Sequence, residues 1–179
     1  MIVRARVTTP QTRLVNSSSR FPAMVAGFGA GKTQALVLRT VKLIFGEGKD
    51  IAYYLPNYPL VRTIAYPRFT EVLDNLGVSY NLNRSEHTIQ VNGKTIIFRT
   101  MDNPDAIVGY EVGDSMVDEL DTLPTAKARH AWNKIIARNR QKKDTGMNTV
   151  AVGTTPEGFR FVYDKWAKDP TQSYELIKA

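Results

Sequence analysis

Short apolar runs of strand length alternate along the chain with longer runs that are apolar on nearly every side, and glycines or prolines separate them. "FPAMVA" (21–26) is a strand-length run that stops at a glycine-rich segment. "KTQALVLRTVKLIF" (32–45) predicts a helix buried against a sheet, stopped by Gly46 and Gly48. "DIAYYLPNY", from residue 50, is rich in strand formers, and 59–76 predicts a second helix that Pro67 starts or kinks. Strand, helix, strand, helix implies a parallel sheet.

"HTIQVNGKTIIFRT" (87–100) carries the strongest hairpin signal, with Asn92-Gly93 suited to the positive backbone angles of a type I′ turn. "GDSMVDE" (113–119) predicts a short strand, 125–140 an amphipathic helix and "NTVAVGTT" (148–155) another strand. "GFRFVYDKWAK" (158–168) predicts a last helix with Phe159, Val162, Tyr163 and Trp166 on one side. Residues 1–20, ending in "RLVNSSSR", read as an arm or loop leading in. The expected fold is α/β, a mainly parallel central sheet flanked by helices with a β-hairpin insertion, its core spanning 21–179.

Composition narrows the partners. A chain of 179 residues is most simply one domain with one sizeable core. It is 42% hydrophobic, which excludes disorder, and its net charge of +7 favours a polyanion such as nucleic acid over an acidic small substrate. The absence of cysteine excludes a disulfide framework, a thiolate zinc site and a cysteine nucleophile, and suits a reducing compartment. His87 and His130, the only histidines, argue against a histidine metal site. No apolar run approaches the ~18 residues of a membrane span, so a soluble, cytoplasmic protein is expected.

Between the first strand and the first long helix stands Ala26-Gly27-Phe28-Gly29-Ala30-Gly31-Lys32-Thr33. This is the phosphate-loop pattern without its first glycine. Glycines at 27, 29 and 31 let the backbone curl so that its N–H groups face one point, and the helix start adds its positive end. Lys32 can then reach the outer phosphates of a nucleoside triphosphate and Thr33 can supply a hydroxyl to Mg²⁺. The competing reading is a glycine-rich turn that happens to contain a lysine.

"DSMVDELD" supplies the acidic element: Asp118 at the end of an apolar pair to hold the magnesium shell, and Glu119 to orient and deprotonate an attacking water. Asp114 and Ser115 make that strand patchy and leave an acidic turn as the rival reading, while Asp121 and Asp114 lie near enough to confuse the assignment. "VAVGTTP" ends an apolar strand in Thr154 and Thr155, which would lie beside the triphosphate at the carboxyl end of the sheet; an ordinary turn is the alternative.

In that order, "AGFGAGKT", "MVDELD" and "VGTTPEGFRFVYDKW" resemble the ATPase domain of tailed-phage terminase large subunits, over most of the chain. The resemblance implies a phosphate-loop fold of the RecA-like type with the loop at 26–33, the acidic pair at Asp118 and Glu119, and a coupling turn at 153–155. It implies a motor that uses ATP and Mg²⁺ to drive double-stranded DNA through a portal into a procapsid in the host cytoplasm. A homo-oligomeric ring, the portal protein and the small terminase subunit are the partners it implies. Gln11 in "TTPQTR" is the candidate for the family's adenine-contacting glutamine, with a solvated loop residue as the alternative. Two departures stand out: Phe28 and Ala30 occupy the loop where many members carry an arginine, and the family's C-terminal nuclease domain is not in this chain, so that either a fragment or reliance on a separate nuclease is implied, and a fragment is expected. A helicase-like translocase and a non-hydrolysing nucleotide-dependent interaction module are the rival functions.

Between Asp121 and Asp144 no residue is acidic. On a helix, Ala128, Ala131, Trp132, Ile135 and Ile136 form a buried stripe, with Lys127, Lys134 and Arg138 on one flank and Arg129 and Arg140 on the other. These cations are candidates for a DNA contact or for an arginine finger reaching a neighbouring subunit's triphosphate, with Arg138 and Arg140 foremost and Arg99 also open. Cations that simply suit a helix C-terminus are the alternative. Trp132 and Trp166 are expected in the core, the tyrosines of "YYLPNYPLVR" in an irregular connection at a strand end, with a part in shaping the nucleotide crevice as the alternative, and His87 at the surface.

Overall fold

The computed structural model describes residues 5–158, 160–168 and 171–179; Phe159, expected on the last helix, lies outside the described residues. In chain order the elements are α1 (Thr9–Asn16), β1 (Phe21–Val25), α2 (Lys32–Phe45), β2 (Ile51–Leu55), α3 (Tyr58–Leu60), α4 (Tyr66–Asn75), β3 (Tyr80–Asn83), β4 (Thr88–Val91), β5 (Lys94–Thr100), β6 (Asp114–Asp118), α5 (Thr125–Ile136), β7 (Val150–Thr154) and β8 (Tyr174–Lys178). The strands form one sheet in the order β3-β4-β5-β2-β6-β7-β1-β8. β4 runs against both its neighbours and every other pairing is parallel. Helices cover both faces, which is why β2, β6 and β7 are buried along their whole length. One core layer lies under α1, α2 and α4; the other lies under α5 and the segment around Trp166.

The hairpin forms as expected, with Asn92 and Gly93 both at positive φ (52° and 70°), and its second strand joins the parallel sheet beside β2. Pro67 has no N–H to donate, and the helical run widens to a π turn over Val61–Ala65 before restarting as α4 with Pro67 in its first turn. Trp132 and Trp166 pack edge to face 4.9 Å apart in the second core layer. His87 is half-buried rather than a surface residue: its Nδ1 lies 2.7 Å from the Tyr66 hydroxyl and its ring stacks on Tyr58.

Three expectations change. The arm contains α1, which starts at a capping box formed by Thr8 and Gln11 with Pro10 in its first turn. Arg39, 3% exposed on α2, anchors the far end of α1 by donating to the carbonyls of Leu14 and Ser17, and reaches the Thr149 hydroxyl at the start of β7. The helix expected over 125–140 ends at Ile136, because the carbonyl of Arg138 accepts from the Val112 N–H and Asn139 ties itself to Ser115 and the Thr149 carbonyl. Arg138 and Arg140 therefore sit beyond the helix. β3 and β8, not expected, close the two sides of the sheet. Among the described residues no helix is long and apolar enough to cross a membrane.

Candidate functional site

The parallel strands β1, β6 and β7 end at one edge of the sheet, and the three sequence motifs follow from those ends. β7 lies between β1 and β6, so Thr154 and Thr155 stand between the loop at 26–33 and the acidic pair. This order brings the motifs to one place.

Within the loop, Gly29 and Gly31 take positive φ (77° and 78°), as the curled backbone needs, whereas Gly27 does not. Gly31 is also the N-cap of α2, and a Cβ there would lie 2.1 Å from Gln11 Nε2. Gln11 thus packs against the loop: its Nε2 donates to the Gly31 carbonyl at 3.0 Å and its Oε1 accepts from the Thr8 N–H at 2.8 Å. It is 7% exposed, so it is no solvated loop residue. One amide hydrogen and one lone pair remain for a ligand. Phe28 projects from the loop, 88% exposed.

Lys32 is buried in the first turn of α2, and its ammonium donates to the carbonyls of Ala26 (3.1 Å) and Gly27 (2.9 Å). Its third hydrogen remains for an anion. A cavity of about 330 Å³ opens beside Gly27, lined by Val25, Tyr163, Leu176 and Lys178. A second cavity, about 510 Å³ between α1 and α2, has no phosphate-loop or acidic-pair residue in its lining.

Asp118 ends β6 fully buried, and its Oδ2 accepts from the hydroxyls of Thr33 and Tyr53, each at 2.8 Å. Its Oδ1 is buried with no hydrogen-bond partner among the described residues. Burial pushes this carboxyl up to about 6, against the pull of the two hydroxyl bonds. Burial and the charge of Asp118 also raise the Tyr53 hydroxyl well above its ordinary value, which keeps it a donor. An orphaned carboxylate oxygen beside a threonine hydroxyl fits a hard divalent cation. Among the described residues no group of three metal-ligating side chains exists, so such a cation would complete its shell with phosphate and water.

The buried carboxylate should leave a signature in stability. Because its folded value lies above the unfolded value of about 3.9, ionisation costs stability above pH 6, and the cost is relieved as pH falls from about 6 towards 4. Relative to Asp118→Asn, the wild type should gain about 2 kcal/mol between pH 8 and pH 4 in urea unfolding. Parallel pH profiles for the two proteins would show that Asp118 does not titrate in this way.

Glu119 follows in the left-handed region (φ 57°, ψ 42°), a strained conformation for a glutamate, held by its N–H to the Gly153 carbonyl at 2.8 Å. Its Oε2 accepts from the Thr155 N–H at 3.2 Å and its Oε1 from the Thr155 hydroxyl at 3.4 Å. Thr155 therefore aims the carboxylate. The Thr154 hydroxyl, in contrast, is fully buried and accepts from the Asp121 N–H at 3.1 Å. Gly153 has a packing reason: a Cβ there would lie 3.0 Å from Leu36 and 3.3 Å from Lys32 of α2.

The acidic residues that competed with Asp118 have other work. Asp114 begins β6, at the far edge of the sheet, and pairs with buried Lys143 at 2.6 Å and with Thr149. Asp121 accepts from the Val162 N–H, and its own carbonyl accepts from Arg160. Sequence reasoning missed Tyr53 and Arg160.

Arg138 and Arg140 lie away from the acidic pair within one chain, at the far end of β6. Arg138 is tied by its backbone to Val112, six residues before Asp118, which at ~3.3 Å per strand residue is about 20 Å from the acidic pair. Arg140 lies 3.9 Å from Glu111 and Lys134 3.7 Å from Asp105, so acidic residues from 105–111 neutralise part of this surface. Arg129 is exposed over the Phe161 ring, Lys127 is half-buried on α5, and Arg99 packs over Tyr110.

A family model described as the N-terminal region of the terminase large subunit, T4likevirus-type, matches residues 23–178. The chain belongs to this terminase family. The match takes in the whole sheet except the first two residues of β1 and leaves out only α1 and the segments at either end. Solved structures agree with the fold of this terminase domain. The large terminase of a thermophilic bacteriophage superposes with a TM-score of 0.72 at 16% identity, covering 97% of this chain and 46% of that one. The terminase domain thus spans about half the length of that protein, which has also been solved with ADP and with ATP-γ-S. The large terminase ATPase domain of Thermus phage P74-26 gives 0.69 at 16% identity, covering 97% and 81% of the two chains. The N-terminal domain of the DNA packaging ATPase from bacteriophage phi29 gives 0.70 at 11%, covering 96% and 95%. No curated protein matches the chain.

Proposed function

We propose that this chain is a single Mg²⁺-dependent ATPase domain over residues 1–179 and works as the motor of a viral DNA-packaging terminase. The observation that carries the reading is the convergence of Lys32, Thr33, Asp118, Glu119 and Thr155 at one sheet edge, with Glu119 aimed by Thr155. The loop amides of 26–33 and Lys32 bind the phosphates, and Gln11 meets the adenine edge with its remaining donor and acceptor. Thr33 and Asp118 hold Mg²⁺, which neutralises phosphate charge when bound. Glu119 takes a proton from a water whose oxygen bonds to the terminal phosphorus, while the bond from that phosphorus to the bridging oxygen breaks and ADP leaves.

Thr155 touches Glu119, and Asp121, two residues after Glu119, receives Arg160 and Val162, so a change at the terminal phosphate has a route out of the site. Thr154 supports that route from inside by fixing Asp121. An arginine finger from this surface, Arg138 or Arg140 foremost with Arg129 as a further candidate, acts only on a neighbour in a ring, given its distance from the site in its own chain. The ring docks at a procapsid portal in the host cytoplasm with the small terminase subunit as partner, and Lys127 and Lys134 face DNA.

The DNA part of this reading has its own test. Anisotropy of a labelled duplex should show an affinity that falls about tenfold or more between 50 and 200 mM salt, as release of counterions from phosphates requires. A chain that binds no duplex even at low salt would remove the DNA grip from this domain while leaving the ATPase reading intact.

A further inference from the structure

β2 contains none of the motif residues, yet its fully buried Tyr53 places a hydroxyl 2.8 Å from the carboxylate assigned to the metal. The parallel register sets Tyr53 beside Met116, two residues before Asp118, so all three share one sheet face. The long tyrosine side chain spans the remaining step. Its ring is fixed by Phe69, edge to face at 5.2 Å, and by Phe98 at 6.0 Å.

Two hydroxyls therefore donate to Asp118 Oδ2, and they differ in kind. Thr33 belongs to the first turn of α2, beside the phosphate loop, and is itself a candidate ligand of the cation. Tyr53 stands on β2, outside the phosphate loop, and is locked by aromatic packing. Its hold on the carboxylate does not depend on what the loop binds.

Resting on the Mg²⁺-ATP reading above, we propose that Tyr53 is a positioning residue for the Asp118 carboxylate. By fixing Oδ2 from the sheet side, it leaves Oδ1 as the acceptor offered to the cation's shell. Loss of the hydroxyl leaves the carboxylate held from one side only and free to rotate, which weakens the metal-dependent part of nucleotide affinity and spares the rest.

The test measures binding of a fluorescent ADP analogue to the full chain in excess Mg²⁺ and in EDTA. Tyr53→Phe should lower affinity about tenfold in Mg²⁺, the size of one hydrogen bond to a charged group, and leave affinity in EDTA at the wild-type value. Phe69→Leu, which loosens the packing and keeps the hydroxyl, should leave the ratio of the two affinities unchanged. Unchanged Mg²⁺ affinity in Tyr53→Phe overturns the inference. An equal loss in both buffers also overturns it, since it assigns Tyr53 to packing, as does a Phe69→Leu ratio that shifts by the same amount. A wild type that binds no nucleotide in either buffer overturns the ATP reading itself, and the two failures are thereby distinct.

Discussion

Replacing Glu119 with glutamine is expected to lower ATP turnover by about 10²- to 10⁴-fold while ATP affinity stays at the wild-type value. The amide keeps the shape of the side chain: its oxygen can accept from the Thr155 N–H and its NH2 can donate to the Thr155 hydroxyl, so the geometry at 3.2–3.4 Å survives. It cannot take a proton from water. Phosphate release and nucleotide binding, measured on the same preparation, check both halves of this expectation. Turnover that persists in the variant would move the base elsewhere; an effect on affinity equal to that on turnover would make Glu119 a binding residue.

The second large effect belongs to Lys32. Lys32→Ala should weaken ATP binding by about 10²-fold or more, because charge-assisted bonds to phosphate are each worth about 1.5–3 kcal/mol. The change should also cost some stability, since Lys32 is buried and one of the two carbonyls that receive its ammonium, that of Ala26, is buried, while that of Gly27 lies in the exposed loop. Calorimetric titration with ATP, alongside a circular dichroism spectrum, separates loss of the site from loss of the fold. Binding that survives the substitution would show that the loop is a structural turn.

Much of this was legible in the sequence because each motif is local and its context is periodic. The loop lies between an apolar strand and a long helix, and the acidic pair closes a strand whose Met116 and Val117 are apolar. The polar start of that strand has its explanation outside the local pattern, in the pairing of Asp114 with Lys143 and Thr149, partners 29 and 35 residues away. α1 carried its signal in "TTPQ", a capping box with proline in the first turn, but eight residues with two apolar ones give little periodicity. β8 takes its identity from pairing with β1, and no local pattern announces that. The end of α5 was set from outside, by Val112 and Ser115, where residues 137–140 taken alone favour another helical turn. Tyr53 was hidden for the same reason: strand alternation tells its face, and only the register between β2 and β6 tells what lies within reach of its hydroxyl.

In the proposed motor Asp118 and Glu119 belong to one chain and the arginine finger, Arg138 or Arg140, to its neighbour. The most direct test is steady-state phosphate release from Mg²⁺-ATP over a wide range of protein concentration, with Glu119→Gln as the baseline. The account predicts a rate per chain that stands above this baseline and rises with concentration as neighbours complete the site. A chain saturated with ATP that releases phosphate no faster than Glu119→Gln at every concentration would contradict it.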